Sequence, residues 1–95
     1  MKKQLRYTSA ACEDLTQHLE YIAKQSESGA RRWLDLVEAK CLLLRQFPEI
    51  GESMPRLGEG VRAAAVGRHL VFYRIVEDCV EVLRVLGGER DTKFL

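Results

Sequence analysis

The stretch from Gly60 to Asp91, GVRAAAVGRHLVFYRIVEDCVEVLRVLGGERD, decides the fold. It contains three runs rich in β-branched and aromatic residues, broken twice by two residues, Gly67-Arg68 and Glu77-Asp78. Two-residue breaks between such runs signal consecutive hairpins, so the segment is expected to form a three-strand antiparallel meander. With those pairs as turns, Arg74 falls opposite Glu81, and Tyr73 falls opposite both Arg62 and Val82. Side chains alternate along a strand, which puts Val61, Ala63, Ala65, Leu70, Phe72, Leu83 and Val85 on one face. Arg62, Val71, Tyr73, Ile75, Val80, Val82 and Arg84 share the other. The first face is expected to be the floor under the helices. The second is apolar yet carries two arginines and a tyrosine, more apolar than a solvated sheet face usually is. It is the candidate partner surface.

Upstream, Leu5 and Tyr7 alternate with Gln4 and Arg6, which suggests a short half-buried strand over Lys3 to Thr8. Thr8 or Ser9 can cap a helix, with Glu13 and Asp14 in or near its first turn, where the helix dipole favours acids. Ala11, Leu15, Leu19, Ile22 and Ala23 recur at helical spacing and carry that helix to about Lys24. Gln25 to Gly29 is a polar break, and Ser28 is expected to cap a second helix. Ala30, Trp33, Leu34, Val37, Cys41 and Leu44 form its stripe; Leu36, Leu43 and Phe47 widen it, so cover on more than one side is expected. Pro48 ends it, because proline lacks an N–H and biases Phe47 away from the α region. Pro48 to Gly60 reads as an ordered connector. The two helices should pack as an antiparallel hairpin. The order is β-α-α-β-β-β, an α+β domain with a helical hairpin on one face of a twisted antiparallel sheet. The expected core is Leu15, Leu19, Ile22, Leu34, Val37, Cys41, Phe72, Leu83 and Val85.

Ninety-five residues give one domain with no room for a second core. A formal charge of +1, with 46% hydrophobic and 31% charged residues, indicates a globular chain with no global field toward nucleic acid or anionic membranes. Anion recognition must therefore be local, through the arginines Arg62, Arg74, Arg84 and Arg90. No apolar run approaches the roughly 20 residues of a spanning helix. Gln4, Arg6, Glu13 and Asp14 break up any signal-peptide core after Met1-Lys2-Lys3. A soluble, cytoplasmic protein is expected. Cys12, Cys41 and Cys79 are widely spaced with no metal-ligand pattern, and read as small buried hydrophobes in a reducing compartment. His18 reads as a boundary residue and Trp33 as core or helix-boundary packing. Arg74 with Glu81 also reads as a cross-strand ion pair.

In order along the chain, Asp14-Leu15, Tyr21-Ile22, Cys41, Leu44, Phe47-Pro48, Ile50-Gly51 and Pro55 are followed by Gly60-Val61-Arg62 and Gly67. Val71-Phe72-Tyr73-Arg74, Leu83-Arg84-Val85-Leu86 and Arg90-Asp91 complete the set. With these pieces the chain resembles the ParE branch of the RelE/ParE toxin superfamily over about ninety residues. The resemblance implies a toxin of a type II toxin–antitoxin system, held by a cognate ParD-like antitoxin and needing no cofactor. Arg62, Tyr73, Arg74, Arg84 and Arg90 are then the expected contacts for antitoxin or target. ParE-type toxins are associated with poisoning DNA gyrase, and RelE-type relatives with cutting messenger RNA on the ribosome. Under the second alternative the nuclease set would be Arg62, His69 and Arg90. That set is incomplete: His69 stands where an arginine is usual, Gly87 where many ParE-like sequences carry histidine, and no late tyrosine follows. A third alternative is a degenerate toxin acting only in a repressor complex. The resemblance favours a non-enzymatic gyrase inhibitor.

Overall fold

Thr8 ends the first strand and starts the first helix. In the computed structural model, which describes residues 3–87, strand β1 spans Gln4–Tyr7 and helix α1 spans Ser9–Ala23. Thr8 is extended, and its hydroxyl accepts the Ala11 N–H at 3.1 Å, closing one of the free donors at the helix start. The same hydroxyl donates to the Leu83 carbonyl at 2.8 Å, which fastens the helix entry to the sheet. Glu13 and Asp14 lie past the first turn, so the dipole is not what holds them. Helix α2 spans Glu27–Gln46. Ser26, not Ser28, is its cap: the Ser26 hydroxyl accepts the Gly29 N–H at 2.9 Å. Glu27 follows in the first turn, where its charge favours the dipole. The chain leaves the helix at Phe47, ahead of Pro48, as a proline stop requires.

The connector holds a two-residue strand, β2 (Glu52–Ser53), and a 3₁₀ turn, Pro55–Leu57. The meander follows as β3 (Val61–Val66), β4 (His69–Val76) and β5 (Cys79–Gly87). Gly67 and Glu77 take φ of 60° and 54°, the left-handed conformation that opens a tight two-residue hairpin. The sheet order is β1-β5-β4-β3-β2. It is mixed rather than wholly antiparallel, because β1 runs parallel to β5.

Pairing follows the expected register where it was specified: Arg74 opposite Glu81, and Tyr73 opposite Arg62 and Val82. The faces are the reverse of the expectation. Val71, Tyr73, Val80 and Val82 are fully buried in one cluster with Ala11, Trp33, Val37, Cys41 and Leu44 from the helices. Leu5, Tyr7, Leu15, Leu19 and Ile22 pack around that cluster. Leu34 and Leu83 are only half-buried. Phe72 is buried but lies outside this cluster, paired with Ala63 and Arg84. Between Phe72 and Tyr73 the partner jumps from Arg84 to Val82, so Leu83 is the extra residue of a bulge. The bulge returns Val85 to the helix side, where it joins the core as expected. Each fully buried Val or Leu contributes on the order of 2 kcal/mol, so this cluster, not helix propensity, fixes the layer.

Candidate functional site

Tyr73, expected on an open surface, has no exposed area. Its hydroxyl donates to the Pro48 carbonyl at 2.7 Å and accepts the Gly51 N–H at 2.9 Å. A side chain at Gly51 would run into the Tyr73 ring, with Cε1 at 2.8 Å, so this close approach requires glycine. Burial raises the Tyr73 pKa above the ordinary value, with the Gly51 N–H and the Arg62 guanidinium pulling against it. Arg62, opposite Tyr73, donates through Nη1 to the carbonyls of Gly51 at 2.8 Å and Glu49 at 3.2 Å. These two residues fasten the connector to the sheet.

On the other face Glu81 joins two strands. It accepts from Arg74 Nε at 3.3 Å and from Arg6 Nη2 at 3.1 Å. Glu81 is largely covered, whereas the two arginine side chains stay 57% (Arg6) and 47% (Arg74) exposed. One carboxylate between two guanidiniums leaves a local positive excess at the surface. Exposed pairs of this kind add little stability, so the arginines keep capacity for an anionic partner.

Arg84 meets Asp14 of α1 in a two-pronged pair, Nε to Oδ2 at 2.8 Å and Nη2 to Oδ1 at 3.0 Å. The same Asp14 oxygen accepts the Val85 N–H at 2.9 Å. The bulge disturbs the ladder at this point, and a side-chain carboxylate supplies the acceptor. Asp14 lies at the i+3 position from buried Ala11. An aspartate in an apolar stripe was the signal, since a buried carboxylate requires partners.

At the far end of the sheet, three rings gather against Gly87. Trp33 Nε1 donates to His69 Nδ1 at 3.1 Å, and His18 Nε2 pairs with the Val85 carbonyl at 3.2 Å. The His18 and His69 centroids are 4.7 Å apart in an edge-to-face arrangement, with Trp33 at 4.9 Å from His69. A Cβ at Gly87 would sit 2.6 Å from His69 Cδ2 and Nε2. His69 is thus placed with the helices, at one end of the β3–β4 pair, where it faces Val66. Arg62 faces Tyr73, four positions further along, or about 13 Å. Arg62 and His69 do not converge; Arg90 lies outside the described residues.

Along α2 and just past it runs an apolar surface that includes Leu36, Leu43 and Phe47, which were expected to be covered. Leu36, Leu42, Leu43, Phe47 and Ile50 are all at least 40% exposed. Leu36, Ala39, Lys40 and Leu43 line a groove of about 340 Å³ whose other wall is Ala65, Val66 and Gly67 of β3 and its turn. The expected second cover on this helix is not supplied by residues 3–87. Beside this groove β3 is paired by β2 only at Arg62 and Ala63.

Cys41 is buried, Cys79 half-buried and Cys12 exposed, which corrects the expectation for Cys12. Burial raises the Cys41 thiol above its usual range, and the Tyr7 side chain bonded to it opposes that rise. Tyr7 is raised in turn, chiefly by its own burial. Among the described residues no helix is long and apolar enough to cross a membrane, and no group of three or more His, Cys, Asp or Glu side chains could hold a metal ion.

The family model described as the ParE toxin of type II toxin-antitoxin system, parDE, matches residues 5–92. Among solved structures, the chain resembles one from a chromosomal ParDE toxin–antitoxin system of P. aeruginosa, with a TM-score of 0.77 and 20% identity over 93% of this chain and 98% of that one. A chain of the RelBE2 toxin-antitoxin complex of Mycobacterium tuberculosis gives a TM-score of 0.71 and 24% identity, covering 92% of this chain and 99% of that one. At these identities the structural likeness is one of fold. No curated protein matches the chain.

Proposed function

Because this chain belongs to the ParE toxin family of type II toxin–antitoxin systems, we propose that it inhibits DNA gyrase by binding and is neutralised by a cognate ParD-like antitoxin. The observation that carries the first half is the separation of Arg62 from His69. Metal-free RNA cleavage needs a base and cations within hydrogen-bond reach of one phosphate. Here Arg62 is committed to the carbonyls of Glu49 and Gly51, and His69 Nδ1 to the Trp33 indole. That arrangement supports an inhibitor that acts without chemistry of its own. Arg74 and Arg6, half exposed around Glu81, are then the arginines best placed for an acidic surface of the target, with Arg84 and Arg90 as further contacts.

The second half rests on the α2 surface. An apolar groove flanked by Leu36 and Leu43 suits a segment that lays apolar side chains into it, as amphipathic helices and added strands do. Lys40 at its wall provides a counter-charge for an acidic residue of that segment. The solved relatives named above come from toxin–antitoxin systems, in keeping with such a partner.

In cells, expression of the chain without its antitoxin should trap gyrase on cleaved DNA and leave messenger RNA intact on translating ribosomes. Shortened messengers with normal supercoiling would overturn the gyrase reading in favour of the nuclease. Neither effect, with antitoxin binding retained, would mark a degenerate toxin.

A further inference from the structure

The ring cluster at Gly87 ties together four elements. His18 comes from α1, Trp33 from α2, His69 from the start of β4, and Gly87 from the end of β5. Trp33 is 9% exposed, and both imidazoles are only half-buried, so protons reach the cluster from solvent.

The protonation states follow from the bonding. A neutral imidazole has one N–H and one lone pair. His69 uses the Nδ1 lone pair to accept the Trp33 indole N–H, so its own proton is on Nε2. His18 meets a carbonyl, which only accepts, so its Nε2 carries the proton. A second proton on His69 has to go to Nδ1, and there it removes the acceptor that the indole uses among the described residues. An indole N–H is a donor only and cannot reverse its role.

We propose that the Trp33–His69 hydrogen bond is a proton-operated latch, which holds the first half of α2 against the β3–β4 turn and opens when His69 is protonated. The sign follows from linkage. The closed latch excludes a proton on His69 Nδ1, whereas the open latch accepts one. The open state then binds more protons, so the latch opens as pH falls. The charged residues nearest the rings in sequence are Asp14 and Glu20 on α1, Arg31, Arg32 and Asp35 on α2, Arg68 in the turn before His69, and Arg84 on β5. Asp14 is already bonded to Arg84 and to the Val85 N–H. The buried stripe of α2 that carries Trp33, namely Ala30, Trp33 and Val37, brings no charge. Glu89, Arg90 and Asp91 follow Gly87 in sequence.

Trp33 is the single tryptophan, so its emission and its indole N–H resonance report on the latch alone. Between pH 8 and pH 5 the wild-type emission should shift to the red in a one-proton transition, with loss of the protected indole N–H signal while far-ultraviolet circular dichroism stays constant. Glutamine at 69 offers a carbonyl acceptor that does not titrate, so His69→Gln should retain the bonded indole signal and abolish the transition. His18→Gln should keep the transition, because the Trp33–His69 bond does not pass through His18. A flat Trp33 signal in the wild type while His69 itself titrates by NMR would overturn the proposal. So would an unchanged transition in His69→Gln. If His69→Gln does not fold, the wild-type comparison of Trp33 with the His69 titration decides alone.

Discussion

Asp14 on α1 and Arg84 on β5 are 70 residues apart in sequence and meet through two charge-assisted hydrogen bonds of 2.8 and 3.0 Å. Asp14 Oδ2 also accepts the Val85 N–H beyond the Leu83 bulge. One side chain thus anchors the first helix and completes the sheet where its ladder is irregular. Replacing it with alanine leaves the Val85 N–H without this acceptor and takes the Asp14 carboxylate away from the Arg84 guanidinium. Asp14→Ala is expected to cost about 2–4 kcal/mol. Asp14→Asn should cost less, since an amide oxygen still accepts from Val85. Urea denaturation of the two variants beside the wild type measures both, and equal losses would contradict this division of roles.

The connector depends on Tyr73 in the same way. Tyr73→Phe keeps the packed ring and removes the bonds to Pro48 and Gly51, for an expected loss of about 1–3 kcal/mol. Its pH dependence is also fixed in sign. The folded-state pKa of Tyr73 is raised, chiefly by burial, so the folded chain holds the proton longer than the unfolded one. This contribution is fully present below the ordinary tyrosine value of about 10 and is lost as pH rises above it. Tyr7 has the same sign. Denaturant midpoints measured from pH 8 upward should fall beyond about pH 10, and less steeply in Tyr73→Phe.

The three thiols should separate by rate. Cys12 is exposed, Cys79 half-buried, and Cys41 buried with its pKa raised by that burial. A thiolate-directed reagent should modify Cys12 first, Cys79 more slowly, and Cys41 only on global opening. Mass spectrometry of the labelled peptides gives the order, and early labelling of Cys41 would contradict the packing described for it.

Much of this architecture was legible in the residues. The breaks at Gly67-Arg68 and Glu77-Asp78 gave the meander, and Arg74 opposite Glu81 followed from them by counting. Which face the helices cover was not legible, because both faces are apolar: Val71, Tyr73 and Val82 on one, Phe72, Leu70 and Ala63 on the other. Alternation sorts residues into two sets without saying which set is roofed. The Leu83 bulge, moreover, interrupts the alternation within β5. The α2 groove was hidden for a related reason. Leu36 and Leu43 read as a wider core stripe, and only the packed structure shows that residues 3–87 leave their side open. The ring cluster needed three elements brought together, and no local pattern joins His18 to His69.

The open side of α2 yields a direct test of partner docking. Leu36 and Leu43 are 58% and 40% exposed, so Leu36→Glu and Leu43→Glu should leave thermal stability within about 0.5 kcal/mol of wild type. Each should weaken antitoxin binding by about 2 kcal/mol, roughly thirtyfold in Kd. Calorimetric titration of each variant with the cognate antitoxin reads the effect. Unchanged affinity in both would move the docking surface elsewhere.

Gyrase inhibition without chemistry is tested most directly by titrating the purified chain into a supercoiling reaction with purified gyrase. The account predicts that supercoiling stops and cleaved DNA–gyrase complexes accumulate. It also predicts that the antitoxin reverses the effect, and that His69→Gln inhibits as well as the wild type. Unaffected supercoiling, together with messenger cleavage on ribosomes that His69→Gln abolishes, would contradict it.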